Sequence, residues 1–473
     1  MNDKKSKIKT GIIWNSIASL SRYVLQFGGI MILARLLSPH DYGVFGLMAI
    51  FISIAEVLMD GGLCAAVIKK ENATDVDFST LSIYNIGASL ILYVIYFIIA
   101  PYVESFYDCP RLSSYIRIYS ISIIFHGVVM APRTYAIKNM QFKALSLITM
   151  IAGFCGLFIA IVMAYCGFGV YSLIGQYVTY SFFYTSAIFL KSKYKIKLCF
   201  SRKSFKEQFA FGINTTFANA LKTLSENIYN NVIGKTCQLN QVGFYTQSSK
   251  LMQVPVGFFY NLIDTTFFPI MSQIHDKNDF AVSIIKLNVK SIKIIFILFT
   301  IAISLNNEIV YFLLGKKWHG MEWTLMMLLI SGLFITWGNI GRNLIKCTGK
   351  TFLILKYEVV IFLISMIALF ASAKVGYTYI VVSFLIISII KSVYINKISN
   401  REIGIEFKEI LKPITSLFVC GCVYIILSCF ITYEVLLLRI LLKVATLLII
   451  TFFYICCYER IKIQEIINKI TKK

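Results

Sequence analysis

A chain of 473 residues that is 58% hydrophobic and only 15% charged, with mean hydropathy +0.75, cannot bury its apolar surface in a soluble fold. Its 46 Lys and Arg against 23 Asp and Glu, net charge +23, would point to nucleic acid on a soluble protein. On a membrane protein that excess belongs in cytoplasmic loops beside anionic lipid, so composition excludes a soluble enzyme and a nucleic-acid-binding domain.

The N-terminus is basic (Lys4, Lys5, Lys7, Lys9), and no small-residue cleavage site follows, so it reads as a retained segment rather than a signal peptide. An apolar helix is expected from Gly11 to Leu37 and a second from Tyr42 to Ile68, joined by a turn at Ser38-Pro39-His40-Asp41. Each exceeds the roughly 20 residues that cross a bilayer. They nevertheless carry Arg22, Arg35, Glu56 and Asp60, and an ionised side chain at membrane depth costs several kcal/mol without water or a partner. The hairpin therefore lines something polar, or an Arg22–Glu56 pair locks its two helices.

About fourteen apolar spans follow the bilayer criterion, centred near Leu25, Ile54, Tyr93, Ile124, Leu157, Val178, Leu221, Gly257, Leu298, Gly332, Leu363, Leu385, Val423 and Leu447. After the sixth lies the strongest basic cluster, Lys191, Lys193, Lys195, Lys197, Arg202, Lys203 and Lys206. The positive-inside rule puts that cluster and both termini on the cytoplasmic side. Pro132, Pro255 and Pro269 fall in or near spans four and eight, where a broken helix is tolerated against protein or water. Beyond Tyr458, Ile461, Ile463, Ile466, Ile467 and Ile470 alternate with Lys and Glu, as in a helix lying on the membrane surface.

The first hairpin recurs two hundred residues further on. Without a gap, Ala34 to Phe45 faces Gly234 to Tyr245, so that Arg35 meets Lys235, Gly43 meets Gly243 and Arg22 meets Lys222. Internal symmetry of this kind is how many transporters are built. The expected organisation is an N-terminal six-helix bundle over 1–190, a basic linker over 191–206 and a C-terminal six-helix bundle over 207–400. Two extra helices and a tail occupy 401–473. An even number of spans per half makes the repeats parallel.

Gly234-Lys235-Thr236 and Gly349-Lys350-Thr351 are not phosphate-binding loops, because the glycine required five residues earlier is Tyr229 in one and Leu344 in the other. The four histidines, His40, His126, His275 and His319, have no ligand spacing, and no cofactor or metal is expected. His126 lies mid-span and is expected to be a packed, hydrogen-bonded imidazole. The twelve cysteines form no metal or redox pattern. No nucleophile motif and no large outer loop is present, which argues against a membrane glycan polymerase or ligase. What remains is polar residues inside apolar helices. Lys222 and Glu226 are spaced to share a helix face, as are Arg22 and Gln26. A cavity basic at mid-depth suits an anion carrying sugar hydroxyls, because the arginine fork gives a phosphate two parallel hydrogen bonds.

Ala34-Arg35-Leu36-Leu37-Ser38-Pro39-His40-Asp41-Tyr42-Gly43 resembles the signature of bacterial lipid-linked oligosaccharide flippases. These form the polysaccharide transporter family of the multidrug/oligosaccharidyl-lipid/polysaccharide flippase superfamily. Asp60-Gly61-Gly62, Ile233-Gly234-Lys235, Val242-Gly243-Phe244-Tyr245, Phe268-Pro269 and Leu314-Gly315-Lys316-Lys317-Trp318 are similar to further landmarks in the same order. The resemblance implies an all-α membrane protein of the MATE-like kind, two six-helix bundles around a central cavity plus two C-terminal helices. It implies alternating access that carries undecaprenyl-pyrophosphate-linked repeat units across the bacterial inner membrane for O-antigen, capsule or exopolysaccharide synthesis. Membrane lipids are its surroundings, and a polysaccharide polymerase and chain-length proteins are its implied partners. The family has no catalytic motif to carry over. The cavity candidates Arg22, Arg35, Lys222, Arg342, Gln26 and Asn219 therefore rest on charge at depth and on the repeat. So do the coupling candidates Glu56, Asp60, Glu226 and Asp264. Glu56, Asp60 and Glu226 also keep open a cation-coupled drug exporter of the same superfamily.

Overall fold

The computed structural model describes residues 24–192, 199–262, 277–347 and 352–403, and beyond these Ser21, Gly421, Tyr424, Ile425, Leu442, Lys443, Ala445 and Thr446. Among the described residues the secondary structure is helical throughout. The elements begin with α1 (Val24–Leu36), α2 (Pro39–Asp60), α3 (Leu63–Lys69), α4 (Asp75–Tyr107), α5 (Leu112–Tyr119) and α6 (Ile121–Lys138). They continue with α7 (Phe142–Tyr165), α8 (Val170–Lys191), α9 (Arg202–Thr236), α10 (Leu239–Leu262) and α11 (Lys277–Ser304). The last are α12 (Asn306–Ile309) with a π turn at Val310–Leu314, α13 (Glu322–Cys347), α14 (Phe352–Ala373) and α15 (Tyr377–Ile403).

Among the described residues seven helices or helix pairs are long and apolar enough to cross a bilayer, eight if the bent Ser291–Ser304 and Asn306–Leu314 pair is one span. Every expected centre from Leu25 to Leu385 falls inside a helix, whereas those at Val423 and Leu447 lie outside the described residues. Helix α9 is long enough to span at 35 residues but is not among the apolar seven. Its Asn219, Lys222, Glu226, Asn227, Asn230 and Asn231 make it too polar to face lipid on all sides.

Two boundaries differ from the expectation. The second helix starts at Pro39 because Ser38 caps it. The Asp41 N–H donates to Ser38 Oγ at 3.2 Å, and the Ser38 N–H donates to the Asp41 carboxylate at 2.9 Å. The same helix ends at Asp60 rather than running to Ile68. Gly61 and Gly62 take left-handed φ values of 51° and 70°, and a methyl on Gly62 would overlap the Gly212 backbone of α9.

The repeat is visible in the backbone. α1 ends at Leu36 and α9 at Thr236, while α2 begins at Pro39 and α10 at Leu239. One half of that cap recurs in the same register, since the Gln238 N–H donates to Gln241 Oε1 at 3.2 Å. The first turns of α2 and α10 cross with two-fold character. A methyl on Gly43 would overlap the Leu239 carbonyl, and one on Gly243 would overlap the Pro39 carbonyl.

The chain divides into two compact units, Met1–Thr246 and Gln247–Lys473. In the first, α9 packs on α2, α3 and α4. Asp77, 2% exposed, fastens its N-terminus there. The Asp77 carboxylate accepts from Ser204 Oγ at 2.5 Å, from Lys70 Nζ at 2.9 Å and from the Thr74 N–H at 2.9 Å. Gln208 Nε2 donates to the Asp77 carbonyl at 3.2 Å. The Lys70 pKa is raised chiefly by that hydrogen bond to Asp77. Lys138 Nζ caps α3 by donating to the Val67, Ile68 and Lys70 carbonyls. Asp77→Ala leaves the buried Ser204 hydroxyl and the Thr74 N–H without their acceptor while the half-exposed Lys70 turns to water, so a loss of about 1–3 kcal/mol is expected, read as a lower unfolding midpoint of the purified protein. Cys109, in the turn after α4, is 3% exposed, and burial raises its thiol pKa, so it is a packed rather than a reactive cysteine.

In the second unit, α13 packs on α15 and α11, and α14 packs on α15. Lys443 Nζ donates to Glu308 Oε1 at 2.7 Å and to the Ser304 carbonyl at 2.9 Å. This buried pair ties the C-terminal segment to the bend between α11 and α12, where a carboxylate without a cation would be costly.

Candidate functional site

In the first unit, three helices bring polar side chains together at mid-span. α2 carries Glu56, α6 carries His126, and α8 carries Tyr177 and Ser181. Glu56 Oε1 lies 2.9 Å from His126 Nδ1 and accepts from the Tyr177 hydroxyl at 3.0 Å. His126 Nε2 lies 3.1 Å from Ser181 Oγ, which itself donates to the Tyr177 carbonyl at 2.9 Å. The Ser181 hydroxyl can turn to the Tyr177 carbonyl or to His126 Nε2, and the imidazole takes the complementary tautomer. The 2.9 Å contact between Nδ1 and a carboxylate oxygen is a hydrogen bond from the imidazole to Glu56. The arrangement is a hydrogen-bonded relay that joins α2, α6 and α8.

Beside it is a cavity of about 310 Å³, lined by Glu56, His126, Arg133, Thr149, Tyr180 and Tyr184 among others. Glu56 has a side chain 39% exposed and His126 one 19% exposed. One turn after Glu56, Asp60 lies beside Cys64, and its Oδ1 is buried with no hydrogen-bond partner among the described residues. Arg133 is exposed, and its charge acts on Glu56 and on Cys64.

The other sequence candidates are distributed as follows. Lys222 and Glu226 pair along α9 at 3.8 Å with side chains 46% and 58% exposed, as their spacing predicts. Asn219 on the same helix is exposed. Arg35 is exposed and Gln26 half-buried on α1. Arg342 is in the second unit, ion-paired with Glu358 between α13 and α14. Arg22 and Asp264 lie outside the described residues. Glu56 uses His126 and Tyr177 as partners, and His126 is hydrogen-bonded as expected but also engages a carboxylate.

Sequence reasoning passed over Arg133 and Tyr177. Arg133 had a signal, a guanidinium following Pro132 inside an apolar span. Tyr177 had none, because a tyrosine in an apolar helix is ordinary. Likewise, nothing in the order of residues links positions 56, 126 and 177, which meet only through packing.

Ionisable groups held at mid-span in a bundle of apolar helices define the class, a multi-pass membrane transport protein. The chain belongs to the family described as polysaccharide biosynthesis proteins, whose model matches residues 32–322. It is 25% identical to an uncharacterized membrane protein of the cps region of Klebsiella pneumoniae, over 73% of this chain and 72% of that one. It is 22% identical to the lipopolysaccharide biosynthesis protein WzxC of Escherichia coli K12, over 82% and 80%. The teichuronic acid biosynthesis protein TuaB of Bacillus subtilis is also 22% identical, over 86% of each chain. Among solved structures, the fold matches the lipid II flippase MurJ in an inward closed conformation, with TM-score 0.73, 17% identity and 94% of this chain against 99% of that one. It also matches an inward-facing multidrug MATE transporter, with TM-score 0.61, 16% identity and 83% against 98%.

Proposed function

We propose that this protein is a flippase that moves undecaprenyl-pyrophosphate-linked oligosaccharide repeat units across the bacterial inner membrane by alternating access, supplying surface polysaccharide synthesis. The observation that carries this reading is that curated relatives matching four fifths or more of the chain are named for lipopolysaccharide and teichuronic acid biosynthesis. The fold shared with a lipid II flippase supports it. In this reading the chain has fourteen spans, arranged as two six-helix bundles with two further helices, and both termini are cytoplasmic. It transports rather than catalyses, and it works beside a polysaccharide polymerase and chain-length proteins.

Arg22, Arg35, Lys222 and Arg342, with Gln26 and Asn219, are assigned to hold the diphosphate and sugars. The polar character of α9 supports Lys222 and Asn219 in that role. Glu56 is assigned to coupling, with Asp60, Glu226 and Asp264 as further acidic positions. The hydrogen bond between Glu56 and His126, a group that can take up and release a proton, supports Glu56 first and favours a proton as the coupling ion. A sodium ion would instead require several oxygen ligands, and Glu56 faces an imidazole and a hydroxyl donor.

Deleting the gene is expected to truncate the surface glycan and to accumulate lipid-linked repeat units, measured by glycan gel and lipid extraction. Complementation with Arg22→Ala/Lys222→Ala should fail although the protein reaches the membrane. Normal glycan in the deletion strain overturns the flippase reading. Full complementation by the double variant overturns only the assignment of those two residues. The acidic Glu56 and the MATE fold favour one second reading, a cation-coupled drug exporter. That reading is selected if the deletion strain keeps its glycan and becomes sensitive to cationic dyes.

A further inference from the structure

The 310 Å³ cavity holds one charged group that the relay does not use. Arg133 makes no hydrogen bond and no ion pair among the described residues, and its nearest acidic groups act on it only at longer range. Glu56 is already engaged by His126 at 2.9 Å and by Tyr177 at 3.0 Å. A guanidinium has five N–H donors in a rigid fork and stays charged at every physiological pH. Within a membrane span such a group is costly unless water or a ligand meets it.

What surrounds it on the pocket wall is equally specific. Tyr180 and Tyr184 stand one turn apart on α8 with rings nearly parallel, centroids 5.6 Å apart and planes 15° from one another. Ring faces are weakly negative and accept the slightly positive C–H face of a sugar ring. Thr149 Oγ1 donates to the Leu145 carbonyl at 2.8 Å, which leaves its oxygen lone pairs for a sugar hydroxyl. His126 and Arg133 are seven residues apart on α6 and so share a face, about 10 Å apart along the axis. The cavity is at the small end of ligand sites, which run from about 300 to 1,000 Å³. It has room for one sugar ring or one diphosphate rather than a whole repeat unit.

We propose that this α6–α8 pocket is an oxyanion subsite, in which Arg133 takes a diphosphate or a sugar carboxylate through its two-pronged face and the Tyr180–Tyr184 stack supports the adjoining sugar ring. The proposal rests on the flippase reading for the identity of the transported molecule. It adds Arg133 and its pocket, inside the first unit, to the basic positions assigned above. The charges facing it are the Glu56 carboxylate, the His126 imidazole and Arg133 itself. Arg133 offsets the Glu56 carboxylate, so the pocket carries no net negative charge to repel an anion.

The test uses the full chain in lipid nanodiscs and phenylglyoxal, which modifies accessible arginines, with Arg133 followed by peptide mass spectrometry. At a ligand concentration about four times its Kd, mass action predicts that Arg133 labelling slows about fivefold. Inorganic pyrophosphate, glucuronate and glucose are the probes. Protection by pyrophosphate assigns the site to the diphosphate, and protection by glucuronate assigns it to an acidic sugar. Tyr184→Ala should weaken glucuronate protection more than pyrophosphate protection. Failure of both anions to protect, equal protection by glucose, or an Arg133 that never labels overturns the proposal. The two readings fail separately. Protected Arg133 with normal glycan in the deletion strain removes the flippase and keeps the site, whereas unprotected Arg133 with truncated glycan does the reverse.

Discussion

Glu56→Gln is expected to reach the membrane at normal levels and yet fail to restore surface glycan to the deletion strain. The amide keeps the shape of the carboxyl and can still accept from Tyr177, but it cannot exchange a proton with His126 at 2.9 Å. Substrate movement and proton movement then separate. A coupling free energy of the usual size, about 1–3 kcal/mol, corresponds to about a 5- to 150-fold change, so gradient-driven transport into vesicles should fall by about fivefold or more. His126→Ala should behave similarly but should also lower stability, because the Glu56 carboxylate loses its main partner. Removing one member of a fully buried pair costs about 3–5 kcal/mol, and the 39% exposure of Glu56 puts this case at or below the lower end. Vesicle transport in Glu56→Gln that still responds fully to an imposed proton gradient would remove the relay from the mechanism.

The second large effect concerns Gly43 and Gly243. Gly→Ala within an open helix stabilises by about 1 kcal/mol. Here a methyl at either position overlaps a carbonyl oxygen of the opposing first turn, the Leu239 carbonyl from Gly43 and the Pro39 carbonyl from Gly243. Each substitution is therefore expected to destabilise, by the roughly 1–3 kcal/mol typical of overpacking. The sign of the change is the diagnostic. Both glycines serve one crossing, so once α2 and α10 have parted, the second methyl finds room. The double variant should cost well below the sum of the singles. Thermal unfolding of the purified protein reads both points, and stabilisation by either single variant would mean that the helices do not cross as described.

Much of this architecture could be read from residue order, and the reasons are local. Ser38, Pro39 and Asp41 start a helix by filling hydrogen bonds within a few residues, so the chain around the cap is enough to show it. The same holds for the repeat, which α9 and α10 reproduce down to the Gln238–Gln241 cap. Lys222 and Glu226 are neighbours on one helix and pair as their spacing predicts. The break at Gly61–Gly62 was present as a glycine doublet, but the need for it comes from Gly212 of α9, which packs against it from far along the chain.

By itself, then, the sequence determined that this is a helical membrane protein with charge at depth and a duplicated hairpin. Apolar length, helix capping and internal similarity are properties of contiguous residues. Only tertiary structure decided which charges meet. Packing joined Glu56 to His126 and Tyr177, committed Arg342 to Glu358, and left Arg133 facing a cavity. Partner choice among buried ionisable groups depends on how helices distant in the chain rotate and cross, because a charge at depth accepts whichever counter-charge or water the packing supplies.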